Sequence, residues 1–156
     1  MGEGVEWTAH SCILLAWMED DAVPAAKLAS YYKLPSAYLN KQLQSLVRAG
    51  ILTSVPGPKG GFRLARPSDQ ITLWDIVAAI EGEKDAFHCT EIRAQAAGSR
   101  TQFSSPCSIA IAMHEAELAW RRALAQQTLA SFVRAAERSV PDAAERARRW
   151  LDTAET

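Results

Sequence analysis

The chain has 156 residues, of which 48% are hydrophobic and 22% charged. That balance excludes a disordered polymer and supplies one packed core with room for an appendage. A formal net charge of −1 hides an uneven distribution, described below. No apolar run approaches the roughly 20 residues of a membrane helix, so no membrane partner is expected. MGEGVEWTAH has no basic region ahead of an apolar stretch, so no secretory signal is expected. Three cysteines without export point to a reducing, cytoplasmic setting rather than a disulfide scaffold.

In chain order, residues 5–18 (VEWTAHSCILLAWM) read as a helix stopped by Glu19-Asp20-Asp21. Val23-Pro24 opens the next, with proline in the first turn, where its missing N–H costs nothing. This helix runs to Tyr32, and Leu34-Pro35-Ser36 breaks it. A third helix follows from Pro35, with Tyr38, Leu39, Leu43, Leu46 and Val47 at helical spacing and Gly50 ending it. Residues 51–55 and 62–65 read as two strands around the turn Pro56-Gly57-Pro58-Lys59-Gly60-Gly61. Two helices, a tight break and a hairpin make a winged helix-turn-helix. Residues 71–80 form a fourth helix, with Thr72 as N-cap and Asp75 three positions on.

Residues 83–106 lose periodicity, a length usually kept for function. From Cys107 to about Ser139 the pattern predicts one long amphipathic helix, its stripe including Ile109, Met113, Trp120, Leu124, Leu129 and Phe132. A second copy of the chain would bury that stripe. Residues 142–151 predict a short helix. The expected fold is therefore mainly α, a winged helix-turn-helix (residues 1–82), a loop (83–107), and a long C-terminal dimerisation helix with its tail (107–156).

Residues 24–66 contain Lys27, Lys33, Lys41, Arg48, Lys59, Arg63 and Arg66 and no acidic residue. The other ten basic and eighteen acidic residues leave −8 elsewhere. The acid-free window coincides with the helix-turn-helix and wing, and phosphate backbones bind such segments through counterion release. The candidate DNA-binding residues are Ser36, Tyr38, Lys41, Gln42 and Ser45 on the third helix and Lys59 and Arg63 at the wing. Glutamine can pair bidentately with adenine, lysine and tyrosine suit phosphates, and wing cations suit the minor groove.

Glu6 and His10 lie four apart and share a helix face. Cys89 and Cys107 bracket the irregular loop, whereas Cys12 points away from the Glu6–His10 face and reads as packing. His88 and His114 have no partner at ligand spacing. Together Glu6, His10, Cys89 and Cys107 form a mixed oxygen, nitrogen and sulfur set that either zinc or a [2Fe–2S] cluster would accept. No general base in a cleft is identifiable, so an enzyme is not expected.

The run from Pro24 to Gly82 resembles the Rrf-two family of bacterial winged-helix regulators. The resemblance rests on Tyr38-Leu39, Ala49-Gly50-Ile51, Ser54, Pro56-Gly57, Gly60-Gly61-Phe62, Leu64-Ala65, Thr72-Leu73 and Glu81-Gly82. Members usually carry three loop cysteines. This chain has two, with Ser104 and Ser105 where another would fall. VEWTAHSC and the CTEIR run at 89–93 are similar to redox-sensing members of the family. The resemblance implies a homodimer on an operator in duplex DNA, with a [2Fe–2S] cluster held by Glu6 and His10 of one subunit and Cys89 and Cys107 of the other. Reduction would make such a centre more negative and raise the proton affinity of His10, and the charge change would move Trp7. The alternative within the same fold is a cluster-free regulator using a thiol switch or a small-molecule effector.

Overall fold

A computed structural model of the chain describes residues 2–96 and 103–154. Helix α1 spans Glu3–Trp17 and buries Cys12, Leu14 and Leu15 completely. The helix-turn-helix is α2 (Ala25–Tyr32) and α3 (Ser36–Arg48). The chain reverses between them because Lys33 takes a left-handed conformation (φ 56°) and Pro35 then starts α3. Leu28, Leu39, Leu43 and Leu46 have no solvent exposure, and each contributes about 1.5–3 kcal/mol by leaving water.

Gly50 (φ 70°) follows the C-cap of α3 and turns the chain into the wing, β1 (Leu52–Val55) against β2 (Gly61–Leu64). The strands are antiparallel, with Leu52 opposite Leu64 and Val55 opposite Gly61. Phe62 also bridges to Val23, so the wing is tied to the entry of α2. Helix α4 (Leu73–Glu81) has the expected capping box. Thr72 Oγ1 accepts from the Asp75 N–H at 3.1 Å, and the Thr72 N–H donates to Asp75 Oδ2 at 2.7 Å.

The single long helix expected from Cys107 to Ser139 is two. Helix α5 spans Ser108–Ala125 and α6 spans Leu129–Ser139. The break has a long-range cause. The Leu73 N–H donates to the Gln127 carbonyl (2.8 Å) and the Leu129 N–H to the Ile71 carbonyl (2.7 Å). Those bonds need an extended chain at Thr128, which then caps α6 by accepting from the Ser131 N–H. Helix α7 (Ala143–Thr153) packs back onto α1 and α2, burying Ala147 and Leu151. Lys27 donates to the Leu151 carbonyl at 2.9 Å, and Arg148 to the Trp17 carbonyl at 2.8 Å. Among the described residues no helix is long and apolar enough to cross a membrane.

Candidate functional site

On α3, Ser36, Asn40, Lys41 and Arg48 are exposed, with Gln44 and Ser45 half-buried beside them. Tyr38 and Gln42 turn toward α1. A Cβ on Gly4 would lie 3.1 Å from Tyr38 Oη and 3.3 Å from Gln42 Cδ. Tyr38 keeps 43% exposure while resting on Trp7. Ser45 Oγ accepts from Arg48 Nη2 at 2.7 Å. The basic face of α3 thus runs through Lys41 to Arg48, a continuation the sequence reading did not single out.

On the wing Lys59 is exposed and Arg63 half-buried. Its shape depends on two glycines. A Cβ on Gly60 would meet the Val55 carbonyl oxygen at 2.1 Å, and one on Gly61 (φ 145°) would meet Val23 backbone at 2.2 Å.

Glu6 and His10 are both exposed and one turn apart on α1. They line two hollows. One is a cavity of about 510 Å³ walled by Val5, Ile13, Leu73, Ile76, Leu129 and Phe132. The other, about 270 Å³, lies against Trp7, Tyr32 and Leu34. His10 is steadied from α2, with Tyr32 Oη donating to its carbonyl at 3.2 Å and the two rings 5.9 Å apart.

Cys89 is exposed and Cys107 half-buried, while Cys12 lies in the core with its thiol pushed up to about 12 by burial. Cys107 is the N-cap residue of α5 without a closed capping hydrogen bond. The Ala110 and Ile109 N–H groups at that helix end, and then the Arg93 guanidinium, hold its thiol below the usual cysteine range. Arg93 lies within electrostatic reach of both thiols. It also joins the two limbs of the loop. It donates to Glu91 Oε2 (2.8 Å) and the Ser105 carbonyl (3.1 Å), and its guanidinium sits 4.2 Å from the Phe103 ring centroid.

Arg93 was not among the residues singled out from sequence, nor were Glu117 and Arg121 on α5. The i,i+4 spacing of the last two was visible, but their target was not. Glu117 is the buried residue of α5. It accepts from Arg121 Nη2 (2.7 Å) and from the Ala86 N–H (2.8 Å). His88 and His114 are exposed. Among the described residues no three His, Cys, Asp or Glu side chains converge within one chain.

Residues 1–135 match the Rrf2 family model, described as iron-dependent transcriptional regulators. YffB of Lactococcus lactis, a candidate HTH-type transcriptional regulator, is 31% identical over 131 residues, covering 83% of this chain and 84% of that protein. T. potens IscR superposes with a TM-score of 0.69 at 20% identity, covering 90% of each chain. CymR, the global cysteine regulator of B. subtilis, superposes with a TM-score of 0.66 at 20% identity, covering 85% of this chain and 94% of that one. The two superpositions establish the winged-helix fold. The family match and the YffB relative lead to one conclusion, with which the exposed basic face of α3 agrees: the chain belongs to the Rrf2 family and is a DNA-binding transcriptional regulator, not an enzyme.

Proposed function

We propose that the chain acts as a homodimeric redox-sensing regulator whose subunits share a [2Fe–2S] cluster. Glu6 and His10 of one subunit and Cys89 and Cys107 of the other would hold it. The carrying observation is that each chain presents two accessible half-sets, an acid–imidazole pair on α1 and a thiol pair around Arg93. No third ligand joins either half-set among the described residues, so a four-ligand centre of this composition calls for a second copy. The donor set fits, because thiolates suit iron–sulfur centres and a nitrogen ligand raises their potential.

Such a group, when bound, supplies one-electron redox change. The chain's own residues do the rest. Arg93 offsets the negative charge of the two sulfurs. Trp7, beside Glu6, rests on Tyr38 of α3, so a tilt of α1 reaches the helix that faces DNA. The apolar residues Ile109, Ile111, Met113 and Trp120 of α5 are exposed, and a second copy would cover them. In this reading residues 1–82 bind DNA, 83–107 carry the thiols, and 107–156 hold the dimer. Dimer geometry then sets half-site spacing.

The reading predicts coloured protein after anaerobic purification, with iron and sulfide in equal amounts. It also predicts unequal operator affinities for oxidised and dithionite-reduced protein. Iron-free preparations, or equal affinities, contradict it.

A second reading is favoured by the two accessible thiols beside Arg93 and by the likeness to a regulator named for cysteine. Here hydrogen peroxide oxidises Cys89 and Cys107 to a disulfide, and the two thiol protons leave with the peroxide oxygens as two waters. Colourless protein whose DNA affinity changes with peroxide, and not in Cys89→Ser, identifies this case.

A further inference from the structure

Helix α5 is exposed along most of its apolar residues, yet the side chain it buries is a carboxylate, Glu117 at 9% exposure. Burying a charge is costly unless it is paired and hydrogen-bonded, and Glu117 is both. Arg121 donates to its Oε1 from Nη2 (2.7 Å) and Nε (3.1 Å), and the Ala86 N–H donates to Oε2 (2.8 Å). Arg121 also reaches the Glu83 carbonyl (3.1 Å) and Asp85 Oδ1 (2.9 Å). Its guanidinium lies 5.0 Å from the Trp74 ring centroid, and Trp74 in turn meets Trp120 of α5 edge-on at 5.8 Å. Residues 83–86 are therefore gripped at three points by one i,i+4 pair, and the grip ends three residues short of Cys89.

The same helix begins at Cys107, its N-cap residue. Ten residues separate Cys107 from Glu117, about 15 Å of helix rise. One helix thus carries Cys107 at its tip and, about three turns on, the clasp that ends three residues before Cys89.

We infer that Glu117 and Arg121 are positioning residues that set Cys89 against Cys107, by fastening the base of the thiol-bearing loop to α5. This deepens the proposed function, because the placement matters for a centre shared between subunits. The clasp itself is a property of one chain. It also gives signals a route, since any shift of α5 moves both sulfurs together.

The test uses the full chain in reduced, iron-free form. In Glu117→Ala, amide exchange at Ala86 rises at least about tenfold, as expected for a lost charge-assisted hydrogen bond. Iodoacetamide modification of Cys89 relative to Cys107 rises severalfold. Glu117→Gln, which keeps an acceptor oxygen, falls between. Arg121→Lys, which keeps the charge and loses the fork, shows the same pattern if Glu117→Ala does not fold. After iron–sulfur reconstitution, Glu117→Ala shifts the visible circular dichroism of the protein, and Glu117→Gln restores part of it. Faster amide exchange with an unchanged Cys89-to-Cys107 reactivity ratio overturns the inference and leaves the clasp a stability feature. Wild-type protein that never takes up iron contradicts the proposed function instead, and the exchange and alkylation results still judge the clasp.

Discussion

The Trp7 ring meets the Tyr38 ring edge to face, with centroids 5.4 Å apart and planes at 81°. Trp7 follows Glu6 on α1, and Tyr38 stands in the first turn of the recognition helix α3. Gly4 leaves room for Tyr38 and Gln42 to close over α1. The helix carrying the proposed acid–imidazole pair is therefore in direct contact with the helix proposed to face DNA.

Replacing Trp7 with alanine removes that contact. The ratio of operator affinities between oxidised and reduced protein falls toward one, and stability drops by about 1–2 kcal/mol for a half-buried aromatic. Trp7→Phe keeps most of both. Fluorescence anisotropy in each redox state, with urea unfolding, measures the pair of effects. An undiminished ratio in Trp7→Ala places the coupling elsewhere.

Lys41 on α3 and Lys59 at the wing tip are exposed cations on the face opposite the core. Each Ala substitution weakens binding about equally across sequences and lowers the slope of log affinity against log salt by about 1. A salt titration of operator binding checks this. Unchanged slopes would remove these residues from the phosphate contacts.

Gly61→Ala forces a Cβ to within 2.2 Å of Val23 backbone at a φ of 145°. It destabilises the wing by about 3 kcal/mol or more and weakens DNA binding with it. Gly57→Ala meets nothing within 4 Å, at a φ of 99°, and costs about 1 kcal/mol of strain. Urea midpoints of the two variants test the difference.

Arg121 first, then the Ala86 N–H, holds the Glu117 carboxyl below the usual carboxylate value of 4.5. A lowered folded-state value stabilises the loop base above pH 4.5, and that support is lost as pH falls through the lowered value. Amide protection at Ala86 therefore persists at neutral pH and is lost in acid, as pH falls through the lowered carboxyl value, ahead of global unfolding. Hydrogen exchange as a function of pH gives the answer. Protection lasting until the whole chain unfolds contradicts it.

The parts legible in the sequence are those with local causes. Thr72 and Asp75 cap α4 within one turn, Gly50 closes α3, and Gly60-Gly61 shape a hairpin only a few residues long. The break at Gln126–Thr128 escaped because the apolar stripe continues through it. Its cause is pairing with Ile71 and Leu73, more than fifty residues away, although the Thr128-to-Ser131 cap was a local sign of it. By residue type Tyr38 suits phosphates and Gln42 a base, and nothing in α3 itself reveals that Gly4 sits beneath them. Cys12 was correctly read as packing from its helix face alone. The grip of Glu117 on Ala86 was invisible for the same reason as the break: an i,i+4 acid–base pair looks like a solvated surface until a loop covers it.

The central claim is that two chains divide one set of four ligands between them. A heterodimer of a His10→Ala chain with a Cys89→Ala chain tests it most directly. Each variant alone would form a dimer without an intact site. The mixed dimer restores one complete set, with Glu6 and His10 from the second chain and Cys89 and Cys107 from the first. The account predicts two irons and the visible absorption of one [2Fe–2S] cluster per heterodimer, against none in either homodimer. A heterodimer as iron-free as its parents, beside an iron-loaded wild type, would contradict it.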